Sequence, residues 1–229
     1  MIGLGTVVNV GAVLAGALVG RFAGHRIPER LKAGLMTALG LATVPIGLSY
    51  GLQTKQPLIL VVSLVVGYVI GGALGIERRL EGFGDRMQAR FAGKTDGSFT
   101  EGFVAASLLF CVGAMAVMGS IQDGLGQTPT FLYTKALLDG VAAIALASSL
   151  GIGVAFSVIP VMVYQGAITV AASWVEPWLT DVAVREMSAA GGMLIFAIGL
   201  DLLGIKRVPV GDFLPAIGVA LALALIFVG

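Results

Sequence analysis

The sequence holds one cysteine and one histidine. A single thiol, Cys111, excludes an intramolecular disulfide and any cysteine-rich metal cluster. A lone His25, in a basic loop where it reads as solvated, excludes a multi-histidine zinc or iron site. Charge is scarce too: 12% of the 229 residues are Asp, Glu, Lys or Arg, roughly half of what a soluble domain carries. Fourteen basic residues against thirteen acidic leave a formal net charge of +1, which offers a nucleic acid no electrostatic footprint. Catalytic signatures are missing as well. No Gly-x-Ser-x-Gly, His-Glu-x-x-His, P-loop or Rossmann fingerprint occurs, no nucleophile–base pair can be assembled, and the chain is expected not to be an enzyme.

What is abundant is apolar surface. Hydrophobic residues make up 57% of the chain, and the mean hydropathy is +0.98. That exceeds what a soluble core uses and excludes a disordered chain. The composition predicts an all-α, polytopic membrane helix bundle forming a single membrane domain over 1–229. A helix crossing ~30 Å of hydrocarbon needs roughly 20 mostly apolar residues. Eight segments meet or nearly meet this: 4–22, 33–51, 57–75, 103–120, 132–150, 154–174, 185–203 and 212–228. Only Gly151-Ile152-Gly153 separates the fifth from the sixth, so a broken or re-entrant element there would reduce eight crossings to seven. The first segment has no basic residues ahead of it and is expected to be retained.

Basic residues orient the bundle. With eight crossings, one side holds Arg21, Arg26, Arg30, Lys32, Arg78, Arg79, Arg86, Arg90, Lys94, Lys206 and Arg207, eleven of the fourteen. The other holds Lys55, Lys135 and Arg185. The positive-inside rule puts the eleven in the cytoplasm and both termini outside. Trp174 and Trp178, with Phe131 and Tyr133, then mark outer helix ends as an aromatic belt. In the one long loop, 76–102, Ile76, Leu80, Phe83, Met87 and Phe91 recur at helical spacing among charged residues. This predicts an amphipathic helix, either in the cytoplasmic headgroup plane or packed on the bundle as an extension of the third span.

The sequence also repeats itself. Met36-Thr37-Ala38-Leu39-Gly40 matches Met187-Ser188-Ala189-Ala190-Gly191, Ile46-Gly47-Leu48 matches Ile198-Gly199-Leu200, Pro57 matches Pro209, and Thr6-Val7-Val8 matches Ser157-Val158-Ile159, all at offsets of 151 or 152. Spans one to three thus map onto spans six to eight, within halves 1–75 and 154–229. A shift of five crossings is odd, so the copies run in opposite senses, as in the inverted-topology repeats of transporters.

Polar residues within spans identify candidate chemistry, because a charge at the bilayer centre costs ~2.5–3.5 kcal/mol. Asp139 lies about two turns into span five, one turn after Lys135, so both project from one face. They read either as an ion site with its switchable partner or as a satisfied pair with Lys135 snorkelling outward. Asn9 and Gln165 are costly to leave unpaired in lipid, and both suit either a midplane site or interhelical bonding. Pro160 is expected to loosen the helix near Gln165. Ser148, Ser149, Gly151 and Gly153 combine hydroxyls with flexible backbone, suiting a Na⁺ site or a tight turn. Asp201 and Asp212 read as solvated helix ends. Gly67, Gly71 and Gly75 allow close helix approach, within the bundle or across a homodimer.

Phe110-Cys111-Val112-Gly113, Gly119-Ser120-Ile121-Gln122-Asp123-Gly124, Lys135, Asp139 and Ser148-Ser149-Leu150-Gly151, together with Asn9 and Tyr164-Gln165-Gly166, resemble the domain of unknown function 554 family of bacterial membrane proteins. The resemblance runs over nearly the whole chain. It implies a multi-helix protein of a prokaryotic inner (plasma) membrane and brings no substrate with it. Joined to the residue reading, the expected function is a small secondary transporter of a small polar solute or ion. Asp139 would carry the coupling ion, H⁺ or Na⁺, and a Na⁺ near Asp139 is the one metal expected. No other cofactor is expected, and the partners are the lipid bilayer and the solute. A passive channel and a non-transporting scaffold or sensor, with the 76–102 helix as its output, are the alternatives.

Overall fold

A computed structural model describes residues 2–24, 26–91, 98–111 and 114–227, without the side chains of Glu29, Phe91, Ala114 and Val175. His25, Lys94 and the Val112-Gly113 pair therefore lie outside the described residues. The described residues form helices and turns, with no strand among them. In chain order the helices are α1 (Leu4–Gly24), α2 (Glu29–Gly51), α3 (Pro57–Leu74), α4 (Ile76–Phe91), α5 (Phe99–Cys111), α6 (Ala114–Gly124), α7 (Thr130–Leu150), the single turn α8 (Gly153–Phe156), α9 (Val158–Val175), α10 (Asp181–Leu202) and α11 (Pro215–Phe227). Among the described residues seven spans are long and apolar enough to cross a membrane, and α5 with α6 makes an eighth if the two form one span.

Local chemistry sets several of these boundaries. Pro57 opens α3, where its missing N–H costs nothing, and Gly75 closes it in the left-handed region at φ +61°, donating its N–H to the carbonyls of Gly71 and Gly72. Thr180 caps α10 by accepting the Ala183 N–H at 3.2 Å, and Asp181 follows in the positive first turn. Pro160 falls in the first turn of α9, so it helps start that helix, and the backbone runs on as continuous helix through Gln165. The residues 151–153 separate two full spans, and the one bent helix pair among the described residues lies elsewhere. The axes of α5 and α6 differ by 63°, and α6 is held by tertiary contacts that a straight apolar run does not reveal. Gly119 packs on Leu132, and Gly124 packs on Thr169 and Ala172.

The helices are inverted with respect to a soluble protein. Along α3 the buried positions are Ile59, Ser63, Gly67 and Gly71, while Leu58, Val61, Val62, Val65 and Val69 are exposed. Small and polar residues face in, and bulky aliphatics face out. Lipid accounts for the outward face, because apolar surface gains nothing by leaving hydrocarbon, and close backbone approach then holds helices together. Trp174, Trp178, Phe131 and Tyr133 are exposed in the same way.

The chain packs as two units. The first comprises Met1–Leu39, Leu80–Cys111 and Met115–Trp174; the second comprises Gly40–Arg79, Val112–Ala114 and Val175–Gly229. In the first unit α1 runs parallel to α7. Gly16 meets the backbone at Gly140, Gly20 meets it at Ile144, and Gly24 meets it at Ser148, a constant register over two turns. The α4 helix forms as predicted, and its Phe83–Gly84 stretch packs on α5, with the Phe83 and Phe103 rings 5.6 Å apart. In the second unit α2 and α10 pack antiparallel through Gly47 against Gly192 and Phe196, and through Gly40 against Gly199 and Leu203. Helices α3 and α11 pack antiparallel too, Gly67 against Ala216 and Gly71 against the backbone of Asp212. Of the two uses open to the Gly67, Gly71 and Gly75 spacing, the first two glycines serve packing within the chain. Asp212 is no solvated end: it accepts the Glu77 N–H at 2.9 Å, and the Glu77 carboxylate accepts the Gly211 N–H at 2.6 Å.

Adding one methyl at two glycines of α1 separates these effects. At Gly16 a Cβ would collide with the Gly140 carbonyl oxygen, whereas at Gly11 it would meet nothing within 4 Å. Gly16→Ala should destabilise the protein by about 1–3 kcal/mol. Gly11→Ala should stabilise it by about 0.5–1 kcal/mol through helix propensity alone. Unfolding midpoints in detergent compare the two, and equal midpoints would show that the glycine stripe does not hold α1 to α7.

Candidate functional site

The α1–α7 approach buries a polar cluster within the first unit. Along α7 the buried positions include Leu132, Lys135, Ala136, Asp139 and Ala143, spaced to share one face, while Leu137, Leu138 and Val141 point outward. One helical turn separates Lys135 from Asp139, and the ammonium bonds the carboxylate directly in a buried ion pair. The Lys135 ammonium also lies 6.0 Å from the centre of the Phe110 ring on α5, at the limit of cation–π range.

Opposite this pair, α1 contributes Asn9 and α9 contributes Gln165, both fully buried. Asn9 Nδ2 donates to Gln165 Oε1 at 3.4 Å, and the Asn9 amide also faces the Asp139 carboxylate. Asn9 Oδ1 and Gln165 Nε2 have no hydrogen-bond partner among the described residues. An unsatisfied buried polar atom ordinarily costs about 1–3 kcal/mol, so the arrangement is not one that packing alone selects. One turn toward the N-terminus of α1, Thr6 repeats the bridge, its Oγ1 lying 3.3 Å from Thr169 Oγ1 of α9. The contacts Thr6–Thr169 and Asn9–Gln165 run in opposite senses along the chain, so α1 and α9 cross antiparallel.

Four of the sequence-derived candidates, Asn9, Lys135, Asp139 and Gln165, are thus brought together by three helices. The other four lie further along α7 and just past its end. Ser148 Oγ donates to the Ala145 carbonyl at 2.7 Å, and Ser149 Oγ donates to the Lys32 carbonyl at 3.4 Å. Gly151 turns the chain at φ +77°. At Gly153 the chain passes so close to the Phe99 backbone that a side chain there would collide with its carbonyl. Ser148 is nine residues from Asp139, about 14 Å along a helix, so these residues form a separate turn region.

Two buried carboxylates are absent from the sequence-derived set. Asp123, at the end of α6, accepts the Gly3 N–H at 3.1 Å, the Thr6 N–H at 3.0 Å and the Thr6 hydroxyl at 3.3 Å. It caps the N-terminus of α1 from a distant part of the chain. Its position in the Gly119–Gly124 motif was the available signal. In the second unit Glu186 is fully buried and accepts from the Thr54 hydroxyl, from the Lys55 N–H at 3.0 Å and from Arg185 Nε at 3.3 Å. Glu186 falls inside the expected span 185–203, and its charge within an apolar run was the available signal.

Comparison with known proteins agrees with this architecture. The family model described as "Protein of unknown function (DUF554)" matches residues 4–225. An "Uncharacterized membrane protein YdfK" of Bacillus subtilis (strain 168) is 30% identical over 217 residues, covering 93% of this chain and 92% of the relative. An "Uncharacterized protein YqgA" of Escherichia coli (strain K12) is 31% identical over 225 residues, covering 96% of each. No solved structure matches the chain.

The ion pair sets a test of its own. Truncating one partner leaves the other charge buried and alone, so Asp139→Ala should destabilise the protein by about 3–5 kcal/mol. The paired replacement Lys135→Met with Asp139→Leu removes both charges and should recover most of that loss. Denaturation midpoints of the two variants measure the difference. A double variant no more stable than the single one would mean that the charges hold the fold together.

Proposed function

The chain belongs to the DUF554 family of membrane proteins, and on that premise we propose that it is a small secondary transporter. It moves a small polar solute or ion across a bacterial inner membrane by alternating access, with both termini outside. The observation that carries this reading is the cluster of Lys135, Asp139, Asn9 and Gln165, buried inside spans and contributed by three helices of one unit. Each charge held near the bilayer centre costs ~2.5–3.5 kcal/mol, and an interface built for stability alone would hold aliphatic and small residues instead. Asp139 carries the coupling ion, H⁺ or Na⁺, and Lys135 is the partner released or re-engaged as the ion comes and goes.

The helix pairing supports the inverted repeat that belongs to this mechanism. Each helix in the first copy touches its counterpart in the second with chain sense reversed: α1 with α9, α2 with α10, and α3 with α11. Packing of this kind suits two copies of opposite orientation, the architecture that exchanges inward and outward states around a central site. Eleven of the fourteen basic residues fall on one side of an eight-crossing topology, which supports the orientation of the termini.

Thermal stability of the detergent-purified protein, measured across NaCl, KCl and pH, tests the ion site. A ligand that binds only the folded state raises its stability, the more so the further its concentration exceeds the dissociation constant. The wild type should show a Na⁺-specific or proton-specific change in Tm that is lost in Asp139→Asn. The variant's baseline Tm is expected to be lower, so the readout is its response to ions. No ion-specific response in the wild type would make Lys135–Asp139 a structural pair and end the transporter reading.

A further inference from the structure

A single hydrogen bond between two primary amides leaves half of each unused. Asn9 Nδ2 donates to Gln165 Oε1 at 3.4 Å, so one carbonyl oxygen and one amide nitrogen remain open. Both side chains are fully buried, and neither open atom has a partner among the described residues. Amides that met only to satisfy each other would close the second bond in the same cyclic pair. Turning both amides over exchanges the atoms' roles and still leaves one donor and one acceptor open. The same cluster holds the Lys135–Asp139 pair, whose carboxylate the Asn9 side chain faces, and the pair carries a full positive and a full negative charge and no net charge.

Charge then selects among ligands. An anion would gain Lys135 and be repelled by Asp139, and a cation would meet the reverse. This is discrimination by a repulsive group as much as by an attractive one. A solute with both ends meets neither repulsion. Its carboxylate takes the Lys135 ammonium and the Gln165 N–H, and its ammonium takes the Asp139 carboxylate, in place of the coupling ion, and the Asn9 carbonyl. One internal ion pair is exchanged for two ligand pairs, and the site is neutral before and after. We propose that the ligand of this site is a small zwitterion of the amino-acid type. The inference rests on the transporter reading of the same cluster and names its substrate class.

The full-length protein in detergent, at fixed pH and fixed NaCl, is titrated at millimolar concentrations with four probes: glycine, acetamide, potassium acetate and methylammonium chloride. Glycine should raise Tm by about 3–6 °C at ten times its dissociation constant, and the other three should give no rise. Gln165→Leu should weaken the glycine response at least tenfold. If acetate or methylammonium matches glycine, if acetamide alone stabilises, or if no probe does, the zwitterion assignment is overturned. A glycine response unchanged in Gln165→Leu overturns it as well. Should that variant not fold, the four-probe comparison on the wild type still decides. An ion response without a glycine response removes the ligand class alone, whereas loss of both removes the transporter reading with it.

Discussion

The close approach of α1 to α7 at Gly16, Gly20 and Gly24 is the contact on which the rest of the first unit depends. Two helices in hydrocarbon gain nothing by burying aliphatic side chains against each other, since lipid tails solvate those as well. Backbones meeting at glycine gain dispersion contacts that lipid cannot match. The same approach brings Asn9 on one helix to the level of Lys135 and Asp139 on the other. With the helices a side chain further apart, Asn9 would face lipid or the wrong turn of α7, and the ion pair would lose its polar surroundings. Packing and site here are one feature.

Long-range carboxylates complete the scaffold. Asp123 satisfies backbone donors at the start of α1, where the first turn of a helix has none of its own. Glu186 holds the segment between α2 and α3 through Thr54 and Lys55, and Glu77 and Asp212 exchange backbone hydrogen bonds between the start of α4 and the turn before α11. In each case an acidic side chain answers main-chain N–H groups that water would otherwise reach. Membrane helices need such closures at their ends, because an orphan donor near lipid costs several kcal/mol. Asp123, Glu186, Glu77 and Asp212 are four of the scarce acidic residues, and each is used in this way.

Much of this was legible in the chain itself. Hydropathy located the spans to within a few residues, because a helix must remain apolar for as long as the hydrocarbon is thick. The i, i+4 spacing of Lys135 and Asp139 guaranteed a shared face. Pro160 misled for a definite reason: proline breaks a helix only in its interior, and the chain starts α9 just before it. Asp123 and Glu186 were overlooked because their partners are remote. The Thr6 amide is 117 residues from Asp123, and the Thr54 hydroxyl is 132 residues from Glu186, so no local pattern announces either bond.

The sequence by itself determined the all-helical membrane class, the seven spans that are apolar for long enough to cross on their own and which side chains are too costly for lipid. Those properties follow from local composition and a fixed rise per residue, and they do not depend on neighbours. Only the tertiary structure decided that Asn9 and Gln165 meet each other, that they leave one donor and one acceptor open, and that Asn9 faces the Asp139 carboxylate. It likewise decided that Gly67 and Gly71 serve α11 inside the same chain. Contacts of that kind depend on the rotation and depth of each helix against the next, which the exclusion of side chains at close-approach glycines sets and hydropathy does not encode.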